Sequence, residues 1–248
     1  MGYNIDALVD YICRIPIPLR DFTSPPQMII IRSFDVNKPG EDVENLKGGV
    51  AGGTIIKGVL KIGDRISIRP GAITKNQKTG VVKWKEYDSQ IISLKADENQ
   101  LMYAVPGGLI GVGMKIDPDI TRSDSLVGQI IGHPDKMPDV LINIDVTYYL
   151  LKRLIGVQNK KKVAEEDGDA ETKVNKLKVD ELLMINVGSQ TLAGKVGKIQ
   201  SEVAKIEFTK PVCANIGDKI ALSRRIGTSY RLIGWGEIKR TYAYKNKS

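Results

Sequence analysis

The sequence has few of the side chains that bind soft metals or perform nucleophilic catalysis. Its 248 residues include two cysteines, Cys13 and Cys213, and a single histidine, His133. A zinc finger, a disulfide framework and a catalytic Cys–His pair each need more of these residues at closer spacing. The sequence excludes those three classes of site, and we expect this chain to bind no metal and no cofactor.

Long apolar runs are also missing. No segment approaches the roughly 20 consecutive apolar residues that cross a bilayer. The chain begins Met-Gly-Tyr-Asn-Ile-Asp, without the basic segment followed by an apolar one that marks a secretory signal. We therefore expect a cytoplasmic protein with no membrane partner.

Two near matches to a phosphate-binding loop each lack what the chemistry requires. Gly48 and Gly53 have the correct spacing, but Thr54 follows where the loop needs a lysine. Gly188 and Gly194 are separated by five residues where the loop has four. Since no nucleophile with an adjacent base is visible either, we predict that this chain is not an enzyme.

One amphipathic segment opens the chain. Ile5, Leu8, Val9 and Ile12 share one face of a helix. Prolines from Pro16 onward interrupt that pattern. We predict a helix and an extended linker over residues 1–24.

Short β-branched runs fill most of the remaining sequence. They are separated by turn residues, among them Pro70-Gly71 and Pro106-Gly107-Gly108. Short strands with turn residues roughly every 8 to 12 positions predict an all-β barrel fold. Because Pro134 and Pro138 flank a second linker, we predict two tandem β-barrels, over residues 25–137 and 138–248.

The stretch 159–174 departs from this pattern. It is charged and almost free of large apolar side chains. Such a segment cannot offset the entropy of ordering by burial. We predict a mobile loop inserted in the second barrel.

The formal charge of +8 is unevenly distributed. Residues 1–138 carry 17 basic and 16 acidic side chains, whereas residues 139–248 carry 20 and 13. The segment 219–248 alone has eight basic residues and one acidic residue. A cationic surface attracts polyanions, so nucleic acid is the leading class of partner. A solvated basic tail is the alternative, although Arg231, Lys239 and Arg240 are interleaved with apolar residues typical of a strand.

Two glycine-rich stretches, residues 48–53 and 107–113, precede or form strands. Glycine within a strand marks a bulge, a tight barrel corner or a place where a ligand comes close. The residues alone leave the corner and the ligand site both open.

Six stretches are specific when taken together. They are residues 32–40 (RSFDVNKPG), 46–53 (LKGGVAGG), 105–113 (VPGGLIGVG), 122–129 (RSDSLVGQ), 220–226 (IALSRRI) and 231–236 (RLIGWG). These stretches closely resemble the gamma subunit of eukaryotic and archaeal translation initiation factor 2. The resemblance covers the second and third domains of that subunit, and residues 1–24 resemble the last helix and linker of its GTP-binding domain.

This resemblance implies two barrels similar to domains II and III of elongation factor Tu. It also implies that GTP and magnesium belong to a GTPase domain outside this chain, and that the whole factor delivers methionylated initiator tRNA to the small ribosomal subunit. The implied wall of the aminoacyl-end pocket is Val50, Ala51, Gly52, Gly53, Gly111, Val112, Gly113, Met114 and Lys115. Val50, Val112 and Met114 would offer apolar contact and Lys115 would meet a phosphate. Met114 stands where the family usually has a threonine.

The second barrel would supply a basic surface of Arg224, Arg225, Arg231, Lys239 and Arg240 that faces RNA or a protein partner. For Arg224 and Arg225, ion pairs within the barrel are an equal alternative. The implied partners are an alpha subunit on the first barrel, a beta subunit through the GTPase domain, and an assembly chaperone of the cell-division-cycle 123 type on the second barrel. A protein-interaction scaffold with little tRNA binding is the competing hypothesis.

Overall fold

A computed structural model describes residues 3–76, 78, 81–154 and 173–244. The chain begins with helix α1 (Ile5–Cys13), whose apolar side chains are all exposed. No helix of the described residues is long and apolar enough to cross a membrane.

The first barrel is built from antiparallel strands that close on themselves. Its strands are β1 (Gln27–Phe34), β2 (Val50–Lys57), β3 (Leu60–Lys61), β4 (Arg65–Lys75), β5 (Val82–Ala96), β6 (Asn99–Leu101), β7 (Tyr103–Ala104), β8 (Ile110–Met114) and β9 (Ile130–Gly132). The order β4-β9-β1-β2-β8-β5 is closed by pairing of β4 with β5, β6 extends β5, and β3 and β7 form a small separate sheet. Short helical turns lie at Val43–Asn45, Pro118–Thr121 (α2) and Arg122–Asp124.

The second barrel closes in the order β10-β13-β12-β11-β14-β15. These strands are β10 (Val140–Leu150), β11 (Leu182–Val187), β12 (Gln190–Gln200), β13 (Val203–Cys213), β14 (Lys219–Ile226) and β15 (Ser229–Ala243). Each barrel has its own core of alternate, inward-facing Ile, Leu and Val residues. The prediction of an all-β fold with two barrels and a short N-terminal helix is confirmed, while the boundaries proposed at 24/25 and 137/138 stay predictions.

One local expectation lies mostly outside the described residues, and another is wrong. The predicted mobile loop at 159–174 lies outside the described residues except for its last two, of which Lys173 bridges to Arg153 and Val174 packs on the barrel core. Pro70-Gly71 was expected to reverse the chain, but β4 continues through it to Lys75. The two residues form a bulge opposite Glu86, and a Cβ on Gly71 would lie 2.1 Å from the carbonyl oxygen of Lys85.

The barrels contact each other directly. Ile130, Val140 and Cys213 form a buried cluster between them, against which Trp84 packs. Burial raises the pKa of the Cys213 thiol to about 12, so it remains a neutral packing residue. The hydroxyl of Ser189 also donates to the carbonyl of Ile30 across the junction at 2.7 Å.

Candidate nucleic-acid interface

The outer face of the first barrel carries a strip that is mostly glycine. Strands β2 and β8 pair with Gly52 opposite Gly111 and Val50 opposite Gly113. Because side chains alternate along a strand, these four residues share the outer face. Three of the four are glycines, so bare backbone forms most of the surface between the flanking strands β1 and β5.

This strip is the floor of an open groove of about 830 Å³. Exposed apolar side chains line it from three directions: Phe34 on β1, Leu46 in the following loop and Ile92 on β5. Its charged lining residues, all exposed, are Arg32, Lys47, Lys95 and Asp97. The groove therefore combines a backbone floor, apolar walls and a surplus of positive charge.

Several nearby glycines are required by the packing of the chain itself. A Cβ on Gly48 would lie 1.8 Å from the carbonyl oxygen of Met114, and one on Gly53 would lie 1.9 Å from that of Ile29. Real Cβ atoms do not approach backbone atoms so closely, so these two positions are glycine for structural reasons.

Gly52 and Gly111 are different. A Cβ on Gly52 would lie 3.7 Å from the Cβ of Arg32, and one on Gly111 would lie 3.7 Å from the carbonyl oxygen of Lys95. Both distances are ordinary van der Waals contacts. Both glycines also have backbone angles that other residues adopt. The chain can therefore accommodate alanine at either position.

The predicted pocket wall is only partly assembled in this groove. Of its nine residues, six line the groove: Val50, Gly52, Gly53, Gly111, Gly113 and Met114. The side chains of Ala51, Val112 and Met114 are fully buried in the barrel core, and Lys115 is exposed outside the groove lining. In this structure Val112 and Met114 thus offer no exposed side chain for the apolar contact expected of them.

The apolar walls come from residues that sequence reasoning did not select. They are Ile31, Phe34, Val36, Leu46, Ile92 and Leu109. The available signal was their place within the stretches that carry the family resemblance or next to glycine strands. Bulges in β1 and β5 decide which of these side chains face outward, and the sequence pattern does not predict those bulges.

Hydrogen bonds fix the loop that carries Val36 and Leu46. The side-chain amide of Asn37 donates to Asp35 at 2.6 Å and to the carbonyl of Lys47 at 2.8 Å. In return, the Asn37 side-chain oxygen accepts from the backbone N–H of Lys47 at 2.6 Å. Because Asn37 ties both ends of the loop together, the wall is held in place before any ligand arrives.

On the second barrel, Arg224 is committed to the fold. Its guanidinium pairs with Glu181 and donates to the carbonyls of Asn175 and Lys176 at 3.0 and 3.3 Å. The side chains of Arg224 and Glu181 are only 18% and 16% exposed. Of the two roles considered for Arg224, the ion pair within the barrel is the one that the structure shows.

The other predicted basic residues do not form a single patch with Arg224. Arg225 is exposed and Arg231 half-buried near the β14–β15 turn, whereas Lys239 and Arg240 are exposed toward the far end of β15. Eight residues of strand, about 27 Å, separate Arg231 from Lys239. Lys239 is also partly neutralised, since its ammonium lies 2.6 Å from Glu237.

Comparison with known proteins identifies the family. The model described as "Initiation factor eIF2 gamma, C terminal" matches residues 142–238, which lie in the second barrel. The chain is 51% identical over 240 residues, 96% of its length, to eukaryotic translation initiation factor 2 subunit 3 of Drosophila melanogaster. This chain belongs to the initiation factor 2 gamma family. It spans about half the length (49%) of that relative, and the family is one of translation initiation factors.

The gamma-family chain also exposes an aromatic pair on its second barrel. Tyr149 and Trp235 face each other on β10 and β15, with ring centroids 4.5 Å apart and planes inclined by 26°. They are 48% and 42% exposed, and the Lys219 ammonium lies 5.6 Å from the Trp235 ring.

Within the described part of the chain, no group of three or more His, Cys, Asp or Glu side chains is placed to hold a metal.

Proposed function

We propose that this chain forms the tRNA-facing and subunit-docking barrels of a gamma-type translation initiation factor that delivers methionylated initiator tRNA to the small ribosomal subunit. The supporting observation is the pair Gly52 and Gly111. Glycine weakens a strand, because it offers no side chain to pack and loses more entropy on folding. Since neither position needs glycine for the fold, close approach of a ligand explains both.

The groove suits the aminoacylated 3′ end of a tRNA. A backbone floor admits the flat base and ribose of the terminal adenosine. Apolar walls such as Phe34 and Leu46 suit the methionine side chain. Lys47 and Lys95 lie where they can meet phosphates of the preceding nucleotides. No catalysis is assigned to this chain, and the binding of GTP and magnesium is assigned to a GTPase domain outside it.

Assembly into an initiation factor complex in the cytoplasm is part of the same proposal. The alpha subunit docks on the first barrel, where Ile62, Met102 and Tyr103 lie exposed on and beside the small β3–β7 sheet. The beta subunit binds through the GTPase domain, and the chaperone of the cell-division-cycle 123 type binds the second barrel.

The test fills the groove at two positions where the fold has room for a Cβ atom. Gly52→Val and Gly111→Val add bulk to its floor, while Gly197→Val is a matched control on β12 of the second barrel, where a Cβ would lie 3.5 Å from the nearest atom. Binding of methionylated initiator tRNA to each variant is measured by filter retention. We expect the groove variants to lose at least roughly tenfold in affinity, about 1.4 kcal/mol, and Gly197→Val to bind like wild type.

Unchanged tRNA affinity in the groove variants contradicts the assignment of the groove to the aminoacyl end. If both groove variants retain their tRNA affinity while unfolding at the same denaturant concentration as wild type, the groove does not hold the aminoacyl end. Uncharged tRNA provides the second comparison, because an aminoacyl-end pocket requires weaker binding when methionine is absent.

The second candidate function is a protein-interaction scaffold with little tRNA binding. The exposed Tyr149–Trp235 pair favours it, since aromatic residues are enriched at the centres of protein interfaces. A pull-down with purified alpha subunit and chaperone discriminates the two. Tight binding of either protein together with undetectable tRNA binding supports the scaffold for this chain.

A further inference from the structure

Strands β4 and β5 run together beyond the bulge at Pro70-Gly71 as a two-stranded arm, of which residues 72–76, 78 and 81–85 are described. Within it Ala72 pairs with Lys85, Ile73 with Trp84, Thr74 with Lys83 and Lys75 with Val82. This arm is not predictable from the sequence pattern, because Pro70-Gly71 is typical of a turn.

The net positive charge of the first barrel depends on this arm. It carries four lysines, Lys75, Lys78, Lys83 and Lys85, and no acidic residue. Without these four, the first 138 residues have 13 basic against 16 acidic side chains. All four lysines are exposed, and none has an ion pair among the described residues.

One face of the arm is fixed against the second barrel. The Trp84 indole donates to the carbonyl of Tyr244 at 3.0 Å, and the Tyr244 hydroxyl donates to the carbonyl of Val82 at 2.8 Å. Trp84 also packs on the buried cluster of Ile130, Val140 and Cys213. By strand alternation, Lys83 and Lys85 lie on the opposite, free face. Two of the lysines are therefore presented on an anchored surface.

We propose that this arm binds the phosphate backbone of duplex RNA without reading its sequence. Lysine ammonium groups act as point charges toward phosphates. Lys83 and Lys85 are about 6.8 Å apart along the strand, so each can reach a separate phosphate. The aromatic residue of the arm, Trp84, faces the second barrel, which leaves the lysine face without a ring on which unpaired bases stack. A duplex recognised by its shape and phosphates fits this chemistry best.

Lysines on exposed strands also prevent pairing with other chains, and the experiment separates that role from RNA binding. Filter binding of the chain to an RNA duplex of roughly 16 base pairs, with no aminoacylated end, is measured over a series of salt concentrations. The test variant is Lys83→Gln/Lys85→Gln. The control is Lys61→Gln/Lys136→Gln, which removes the same charge from exposed sites elsewhere in the first barrel.

We expect the arm variant to lose roughly tenfold in affinity at low salt and the slope of log affinity against log salt to flatten by about 1.5. The control variant should lose less than roughly twofold. Three results each overturn the proposal: no RNA binding by the wild-type chain at low salt, an equal loss in the two variants, or poly-glutamate competing as well as RNA of the same charge. The last result assigns the arm to acidic protein surfaces instead.

Discussion

The groove of the first barrel and the outer face of the second barrel present surfaces by opposite means. The groove floor is backbone exposed by Gly52 and Gly111, whereas the second barrel displays side chains held by cross-strand contacts, such as Tyr149 on Trp235. A surface made of missing side chains is damaged by adding atoms. A surface made of paired side chains is damaged by removing them.

The largest expected effect comes from adding one methyl group at Gly53. In Gly53→Ala the new Cβ would lie 1.9 Å from the carbonyl oxygen of Ile29, so β1 and β2 must separate. We expect a loss of about 3 kcal/mol or more in the free energy of unfolding. Gly52→Ala, one residue away, should be neutral or slightly stabilising. Urea unfolding followed by circular dichroism measures the free energy of unfolding of both variants. Equal changes in the two variants would show that Gly52 and Gly53 do not differ as proposed.

On the second barrel, removal of a paired side chain should have the largest effect on stability. Arg224→Ala leaves the largely buried Glu181 carboxylate without its partner and frees the carbonyls of Asn175 and Lys176. We expect a loss of about 3 kcal/mol, the usual cost of breaking a buried pair. Arg225→Ala, at an exposed neighbour on the same strand, should change stability by no more than about 0.5 kcal/mol. If Arg224→Ala changes the free energy of unfolding only slightly, the ion pair does not stabilise the barrel, and Arg224 is again a candidate for RNA binding.

These two regions also differ in how much of them the sequence predicts. Alternating apolar residues and regular turns predict both barrels, because burial of one face per strand dictates that pattern. Gly52 and Gly111 were predicted as site residues through the family resemblance. Their distinction from Gly53 was not predictable, since it depends on the distance between Cβ and a strand paired from elsewhere in the chain.

Arg224 and the β4–β5 arm show a second limit of sequence reasoning. The partner of Arg224, Glu181, is 43 positions away and becomes its neighbour only when β11 and β14 pair. Likewise, Pro70-Gly71 has the residues of a turn, and only the opposing strand turns it into a bulge. Local patterns predict which residues form strands, whereas contacts between strands decide which polar groups remain available to a ligand.

A smaller effect is expected at the exposed aromatic pair. Tyr149→Ala removes the ring that stacks on Trp235 at 4.5 Å, and we expect a loss of about 1 kcal/mol in the free energy of unfolding. Tyr149→Phe keeps the ring and should unfold like wild type. Chemical denaturation of the three proteins at one temperature measures this. If the alanine variant is as stable as wild type, the pair does not stabilise the barrel and its exposure is better explained by a binding partner.

The smallest effect concerns an exposed charge beside the groove. The backbone N–H of Ser33 and the guanidinium of Arg32 both donate to Asp124 at 2.9 Å, and these bonds lower the pKa of its carboxyl group. Because the folded protein binds this proton less readily than the unfolded chain, the carboxylate stabilises the fold above its unfolded pKa, near 3.9. That contribution is lost as the pH falls toward the lower folded value.

Asp124→Asn keeps the shape of the side chain and removes the charge. Wild type should therefore be slightly more stable than the variant at pH 7, and the difference should shrink as the pH falls below the unfolded pKa and disappear below the lower folded pKa of Asp124. Glu237→Gln is the matched variant on the second barrel, where the hydrogen bond from Lys239 lowers the pKa of Glu237. Because both carboxylates are partly exposed to solvent, solvent screening should make the two differences similarly small. A difference for Asp124 that persists at low pH would mean that the carboxyl acts through shape rather than charge.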